Sequence, residues 1–488
     1  MTYRIEHDSL GEKPIPNDKY YGVQTERAIE NFRITGIAMS DRPKLVKALA
    51  AVKKAAALTN MELGLLEESI GKAIIAATDE ILSGKLKDQF PVDMIQGGAG
   101  TSANMNANEV ICNRALEIIK YKKGEYQRIH PNNHVNLSQS TNDVYPTAAK
   151  IAISWMSSEI IEGIETLRDA FFAKAEQYKH AIKMGRTQLQ DAVPMTVGQE
   201  FYAFGRLINE DISHLKETLK LCYTINMGAT AIGTGITTSP KYAKTVCKHL
   251  AKVTDLPLIL APDLIEATSD TGALVSISSV LKRIAVKLTK ICNDLRLLSS
   301  GPKAGLHDIN LPAVQPGSSI MPGKVNPVIP EVVNQVCFQV IGYDLTITLA
   351  ASGGQLQLNA FEPVMVYNIF EAMTLLRRAC LTLKEQCIDG ITVNVSHCEN
   401  EVKRSAGLLT AFTPYIGYEA AAKIAEQVQK PGGKTVYELI KESGLLSDKD
   451  IYSILSPKNM LHPSVKLKIF KKKVATKSEL NERGLRKR

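Results

Sequence analysis

The chain has 488 residues, 44% of them apolar and 22% charged, with a net charge of +9. Those values fit a soluble globular protein of two or three domains. They exclude a disulfide framework, because the eight cysteines stand singly and form no CxxC pair.

The charge is concentrated at one end. Lys466 to Arg488 hold ten Lys and Arg against Glu479 and Glu482, a local excess of +8 that leaves the rest of the chain near +1. A short basic tail of this kind predicts a solvated end and no nucleic-acid partner. The nine histidines show no HxxxH and no cluster with cysteine, which predicts no catalytic metal. The opening residues MTYRIEHDSLGEK are charged where a secretory signal has an apolar run. No stretch approaches the roughly 18 apolar residues of a membrane span. A cytoplasmic protein with no membrane partner is expected.

Along the chain, GGAGTSANMNANE (97–109) is the first of four segments that interrupt helical patterns with small polar residues. HPNNHVNLSQSTNDVYPT (130–147) is the second, and a domain boundary is expected near 141, where it leads into a helix. That helix carries Ile153, Met156, Ile160, Ile164, Leu167 and Phe171 on one stripe. MGRTQLQDAVP (184–194) is the third polar segment. Gly228, Gly233 and Gly235 in MGATAIGTG read as turn positions with close backbone approach. Between Thr271 and Ser300 the residues Leu274, Ile277, Leu281, Ile284, Leu288, Ile291, Leu295 and Leu298 keep a sustained heptad, the mark of a long helix packed at a shallow angle. GSSIMPGKVNP (317–327) is the fourth polar segment; residues 331–351 and 362–388 read as helices, and a second boundary is expected near 395.

Strand signals are nearly absent, so the fold class is mainly α. The boundaries predict an N-terminal domain over 1–141, a central long-helix bundle domain over 142–395 and a small C-terminal domain with the basic tail over 396–488. Long helices with a seam on more than one face predict a homo-oligomer.

Each polar segment is expected to precede a helix, where free N–H groups and the positive end of the helix dipole favour an anion. Thr, Ser and Asn add neutral donors and Lys324 adds charge, which suits a small substrate with more than one carboxylate. Taken singly, such residues are ordinary caps and turns. His130 and His134 read as loop-stabilising groups. In 317–327, glycines widen the backbone choice while Pro322 and Pro327 narrow it, and a serine among backbone amides and Lys324 is placed to act as a base.

GSSIMPGKVNP resembles the signature of the aspartase/fumarase superfamily. Further segments fall in family order: YYGVQTERAIENF (20–32), QGGAGTSANMNANE (96–109), HVNLSQSTNDVYPT (134–147), MGRTQLQDAVPMTVGQE (184–200) and SSGPKAGLHDINLPAVQPGSSIMPGKVNPVIPEVVNQV (299–336). The resemblance covers nearly the whole chain. It implies a three-domain subunit, a homotetramer with a central helical bundle, and active sites shared between subunits. It also implies reversible elimination on a small dicarboxylate, L-aspartate to fumarate and ammonia, with no organic cofactor.

Carried onto this chain, the resemblance makes Ser318 the base that removes the Cβ proton. It places Thr101, Ser140, Thr141 and Ser319 at the β-carboxylate, Asn142 and Thr187 near the amino group, and Lys324 and Asn326 near the α-carboxylate. Two positions depart from the pattern. Gln188 stands where many members have a histidine paired with a glutamate, here Glu331, and Asn133 stands where HPND is usual. Glutamine donates no proton, and a substrate ammonium needs none to leave, so Gln188 favours the ammonia-lyases over the alternative, a fumarate hydratase. A catalytically silent structural protein on the same scaffold is the other alternative, and the joint presence of Ser318, Lys324 and Asn326 argues against it.

Overall fold

Helices carry almost all of the architecture of the computed structural model, which describes residues 2–430, 433–456 and 459. The hairpin of β1 (Tyr3–Asp8) and β2 (Gly11–Pro16) precedes α1 (Val23–Asn31), α2 (Pro43–Glu62), α3 (Glu68–Leu82) and α4 (Thr101–Ile118). The long α5 (Thr141–Gln177) leads to a second hairpin, β3 (Ile182–Thr187) and β4 (Gln190–Thr196), and then to α6 (Val197–Leu219). Next come β5 (Thr224–Ile225), α7 (Tyr242–Thr254), β6 (Ile259–Leu260), α8 (Leu264–Ser269), α9 (Gly272–Leu298) and β7 (Ile309–Asn310). They are followed by α10 (Val328–Ser352), α11 (Glu362–Gln386) and β8 (Thr392–Val393). The short helices α12 (Val395–Arg404), α13 (Leu409–Ile416), α14 (Tyr418–Val428), α15 (Val436–Glu442) and α16 (Asp448–Ile454) end the described chain. The basic tail from Lys466 lies outside the described residues.

The chain forms two compact units. One comprises Met1–Ile164, Glu210–Leu288 and Gln335–Ala379, and the other Glu165–Asn209, Thr289–Asn334 and the described part of Cys380–Arg488. In the first, α2 packs on α3, α4 and α7. Its alanine-rich stripe, Ala48, Ala51, Ala55 and Val52 among others, is fully buried, which lets neighbouring helices approach closely. In the second, Met184 of β3 joins Val402, Leu408, Leu409, Phe412, Ile440 and Ile451 in one apolar cluster, so the β3–β4 hairpin is part of the core of the C-terminal helices.

The α9 heptad is buried at every predicted position from Leu274 to Leu298. The α5 stripe is buried at Ile153, Ile160, Ile164, Leu167 and Phe171, while Met156 is half-buried. Pro146 lies inside α5 and cannot donate to the carbonyl of Asn142. That carbonyl instead accepts Nδ2 of Asn226 at 3.0 Å, so the helix passes the proline without an orphaned acceptor.

Two full hairpins depart from the near-absence of strands expected from the sequence. β1 pairs antiparallel with β2, and β3 with β4, the latter with an irregularity between Met184 and Arg186. The turn joining β3 to β4 is Gln188–Leu189, with φ of 53° and 62°. Two consecutive left-handed residues are the geometry of a tight hairpin turn that usually carries Asn-Gly or Asp-Gly. This hairpin uses neither, which is why its pattern was not legible.

Among the described residues α10 is the helix whose length and mean hydropathy match a membrane span, although Glu331, Asn334 and Asp344 break its apolar run, and a third of its most apolar window is buried. It carries two stripes. Cys337, Val340, Asp344 and Ile347 are buried, while Phe338, Leu345 and Leu349 are 58–64% exposed on another face.

Candidate active site

The segment before α5 is built on buried polar groups. Asp143, in the first turn of α5, accepts the Ser140 N–H at 3.0 Å on one carboxylate oxygen and the N–H groups of Gly228 and Thr230, each at 3.0 Å, on the other. Burial pushes the Asp143 carboxyl up to about 6, against the hydrogen bonds that favour its charge. Gly228 has φ of 96°, and a Cβ there would meet the backbone of Ala243 at 2.7 Å, so the amide that reaches Asp143 requires glycine. Gly233 and Gly235 also have positive φ.

A second layer holds Thr141, which is buried. Its hydroxyl accepts Nδ2 of Asn104 at 3.1 Å, from one turn along α4 after Thr101. Asn136 Oδ1 accepts from Asn104 and Asn108, both at 3.1 Å, and from Lys53 Nζ at 2.9 Å. Lys53 also donates to Gln139 Oε1 at 2.9 Å, and burial lowers its amine to about 7. Ser140 Oγ accepts the Asn142 N–H at 3.3 Å, and Asn142 donates Nδ2 to the carbonyl of Ala231 at 2.7 Å. Thr101 opens α4 after Gly100, at φ of 89°, and lines a cavity of about 1080 Å³ with Gln24, Arg27, Ser102 and His130.

The histidines before this segment close a loop. His130 Nδ1 accepts the N–H groups of Asn132 and Asn133 at 3.0 and 3.3 Å, and His134 Nδ1 accepts the His130 N–H at 2.8 Å. An accepting Nδ1 carries no proton, and burial lowers both imidazoles from their usual range. Asn133, exposed, donates only its backbone N–H here.

Ser318 and its neighbours form a separate turn. Gly317 N donates to the carbonyl of Lys324 at 2.8 Å, and Asn326 returns Nδ2 to the carbonyl of Gly317. A Cβ on Gly317 would meet the Lys324 carbonyl oxygen at 2.4 Å, so the ring closes only with glycine. Inside it, Ser318 Oγ accepts the N–H groups of Met321 at 2.9 Å and Ile320 at 3.2 Å. Two amide donors aimed at one hydroxyl oxygen favour its anionic form. Ser318 and Lys324 line a cleft of about 530 Å³, and Ser319 and Lys324 are exposed. Glu331 stands in the first turn of α10, which follows directly.

Thr187 and Gln188 correct an expectation. Segment 184–194 does lead into α6, but it is folded as the hairpin, and both residues stand exposed at its tip and away from the helix N-terminus. The ten residues read from sequence therefore rest on three supports: the α4–α5 segment pair, the β3–β4 tip and the Ser318 turn. Lys53, Asn104, Asn136 and Asp143 were not among them. Asp143 follows Ser140 by three residues, a capping pattern, and Lys53 interrupts an apolar run; both are signals that could have marked them. Among the described residues no group of three or more His, Cys, Asp or Glu is placed to hold a metal ion.

A family model described as a lyase matches residues 11–342, and one described as the fumarase C C-terminus matches 408–462. The chain is 55% identical to an aspartate ammonia-lyase of Helicobacter pylori over 460 residues, 94% of this chain and 98% of that one. It is 53% identical to an aspartate ammonia-lyase of Escherichia coli over 466 residues, 95% of this chain and 97% of that one. Among solved structures, a fumarate lyase:delta crystallin from Brucella melitensis bound to cobalt superposes with a TM-score of 0.92 at 54% identity, over 95% of this chain and all of that one. A class II fumarase from Schistosoma mansoni does so with a TM-score of 0.90 at 34% identity and the same coverage.

Proposed function

The chain belongs to the aspartase/fumarase lyase family, and from that premise we propose that it is an aspartate ammonia-lyase converting L-aspartate reversibly to fumarate and ammonia. The observation that carries the reading to a mechanism is the Ser318 hydroxyl, held between the amides of Ile320 and Met321 beside Lys324. In the proposed reaction the Ser318 alkoxide takes the proton from Cβ. The electron pair moves into the β-carboxylate as an aci-carboxylate dianion, whose collapse forms the double bond and expels the amino group. The substrate nitrogen arrives as an ammonium and leaves as ammonia, so no acid is required of Gln188. The proton on Ser318 then passes to solvent.

Thr101, Ser140, Thr141 and Ser319 are assigned to the β-carboxylate, where charge develops, and Lys324 and Asn326 to the α-carboxylate. Asn142, Thr187 and Gln188 are assigned to the region of the amino group. Donors fixed before substrate arrives stabilise the developing dianion more than the ground state. The buried frame around Asp143 and Lys53 supplies that fixing for Ser140 and Thr141.

The exposed Phe338, Leu345 and Leu349 of α10 support a homotetramer, in which copies of the chain cover that stripe and the three supports meet in shared sites. The three-domain division at 141 and 395 and a cytoplasmic location belong to the same reading. Residue 141 opens α5 and residue 395 opens α12.

Fumarate absorbs in the ultraviolet, so the reading is tested by following absorbance with L-aspartate in one cuvette and L-malate in another. A rise with L-aspartate alone is expected. A rise with L-malate alone would make the chain a fumarate hydratase, and none with either would leave the silent scaffold.

A further inference from the structure

A buried ion cluster stands at the root of two of the three supports. Arg186, one residue before the hairpin tip, places its guanidinium on Asp308, Nη1 to Oδ2 at 2.7 Å and Nη2 to Oδ1 at 3.4 Å. Lys183, two positions before the irregularity-spanning Gly185, lies 3.3 Å from the same Asp308 oxygen and 2.6 Å from Glu200 Oε2 in the first turn of α6. The side chains of Lys183 and Asp308 are each 2% exposed, and the two cations balance the two carboxylates.

Asp308 is itself tied into the backbone. Its N–H donates to the carbonyl of Leu298 at the end of α9, and its carbonyl accepts the N–H of Asn394 at 3.0 Å. It immediately precedes β7, which pairs with β8, and the chain then runs through 311–316 to the Ser318 turn. The hairpin tip, by contrast, has exposed residues at 187–190 and two non-glycine residues at positive φ, so its own packing does little to fix it.

Apolar side chains of similar volume would serve a purely structural role at least as well, because desolvating charges is costly. What the ion cluster adds is direction. A guanidinium fork on a carboxylate fixes orientation as well as distance. We infer that Arg186, Asp308, Lys183 and Glu200 are positioning residues that set the Thr187–Gln188 tip and the root of the Ser318 segment from one buried anchor. The kinetic part of the inference rests on the ammonia-lyase reading.

The test uses the full-length protein with Arg186→Lys, which keeps the charge and loses the fork, and Asp308→Asn, which keeps the shape and loses the charge. Turnover of L-aspartate is expected to fall about 10- to 100-fold in kcat, the scale of a small misplacement of site groups, with KM within about threefold. Amide hydrogen exchange is expected to quicken in 186–190 and 311–320 and to hold steady in 101–118. Should Asp308→Asn not fold, Arg186→Lys alone decides. Unchanged exchange in both segments, or a kcat equal to that of the unmodified protein, overturns the inference. If the unmodified protein leaves L-aspartate untouched, the ammonia-lyase reading fails while the exchange result still judges the anchor.

Discussion

Thr141 hangs from a buried polar frame, whereas Ser318 is held by the turn that it closes itself. Around Thr141 the partners come from α2, α4 and the 136–143 segment, and most are sealed from water: Lys53, Asn104, Asn108 and Asp143 are at most 1% exposed. Around Ser318 the bonds run within residues 317–326, and Ile320 is 83% exposed. Under the proposed mechanism the difference separates two tasks. Groups that receive developing charge work best when fixed in advance, and a base that must meet its proton and then lose it to solvent sits well on a segment able to close and open.

Gly317→Ala forces a Cβ against the Lys324 carbonyl, so the turn must shift. Because catalysis depends on sub-ångström placement, turnover is expected to fall about 100-fold. The thermal midpoint should hardly move, since the turn contributes little buried surface; a loss of turnover matched by a large loss of midpoint would show that the turn is part of the core.

On the buried side, Asp143→Asn keeps the shape but replaces one acceptor oxygen by a donor. One of three backbone N–H groups then faces an NH₂, at a cost of about 1–3 kcal/mol for an unsatisfied buried group. Thermal unfolding is expected to report that loss, with turnover reduced about tenfold as Ser140 and Asn142 shift. A variant of normal stability would place the three amides under other control.

A smaller effect isolates burial from catalysis. Glu362 opens α11, and burial pushes its carboxyl up to about 8, only partly offset by Lys150. A raised carboxyl binds its proton more tightly in the folded chain, so its contribution is present at pH 4.5 and lost as pH rises through 8. Glu362→Gln removes that loss. The variant's thermal midpoint should therefore vary less between pH 5 and pH 8 than that of the unmodified protein, with equal slopes as the contrary result.

The same contrast explains how much could be read from the sequence. The α9 heptad was legible because helix-on-helix burial repeats every three and four residues, from Leu274 to Leu298. The Ser318 turn was legible because glycine and proline mark its backbone limits. The α4 helix buries Asn104, Asn106, Asn108, Glu109 and Asn113, so its inward faces carry no apolar period. Glu109 caps α1 by accepting the N–H groups of Gly22, Gln24 and Thr25, a role that depends on a fold contact more than eighty residues away. The β3–β4 hairpin was hidden for a local reason, since Gln188 and Leu189 adopt a turn usually given to glycine and asparagine. Lys53 and Asp143 were not singled out in the sequence, and the packing of α2 and α5, which buries both completely, reveals them as the frame.

Proton abstraction by Ser318 is tested by following the Cβ proton itself. L-Aspartate is incubated in deuterated water with the unmodified protein and with Ser318→Ala, and deuterium at C3 is read by nuclear magnetic resonance. Deuterium is expected to enter C3 with the unmodified protein and at least about 100-fold more slowly with the variant, the scale of a lost general base. Equal exchange by both proteins would show that another group removes the proton and would contradict the role given to Ser318.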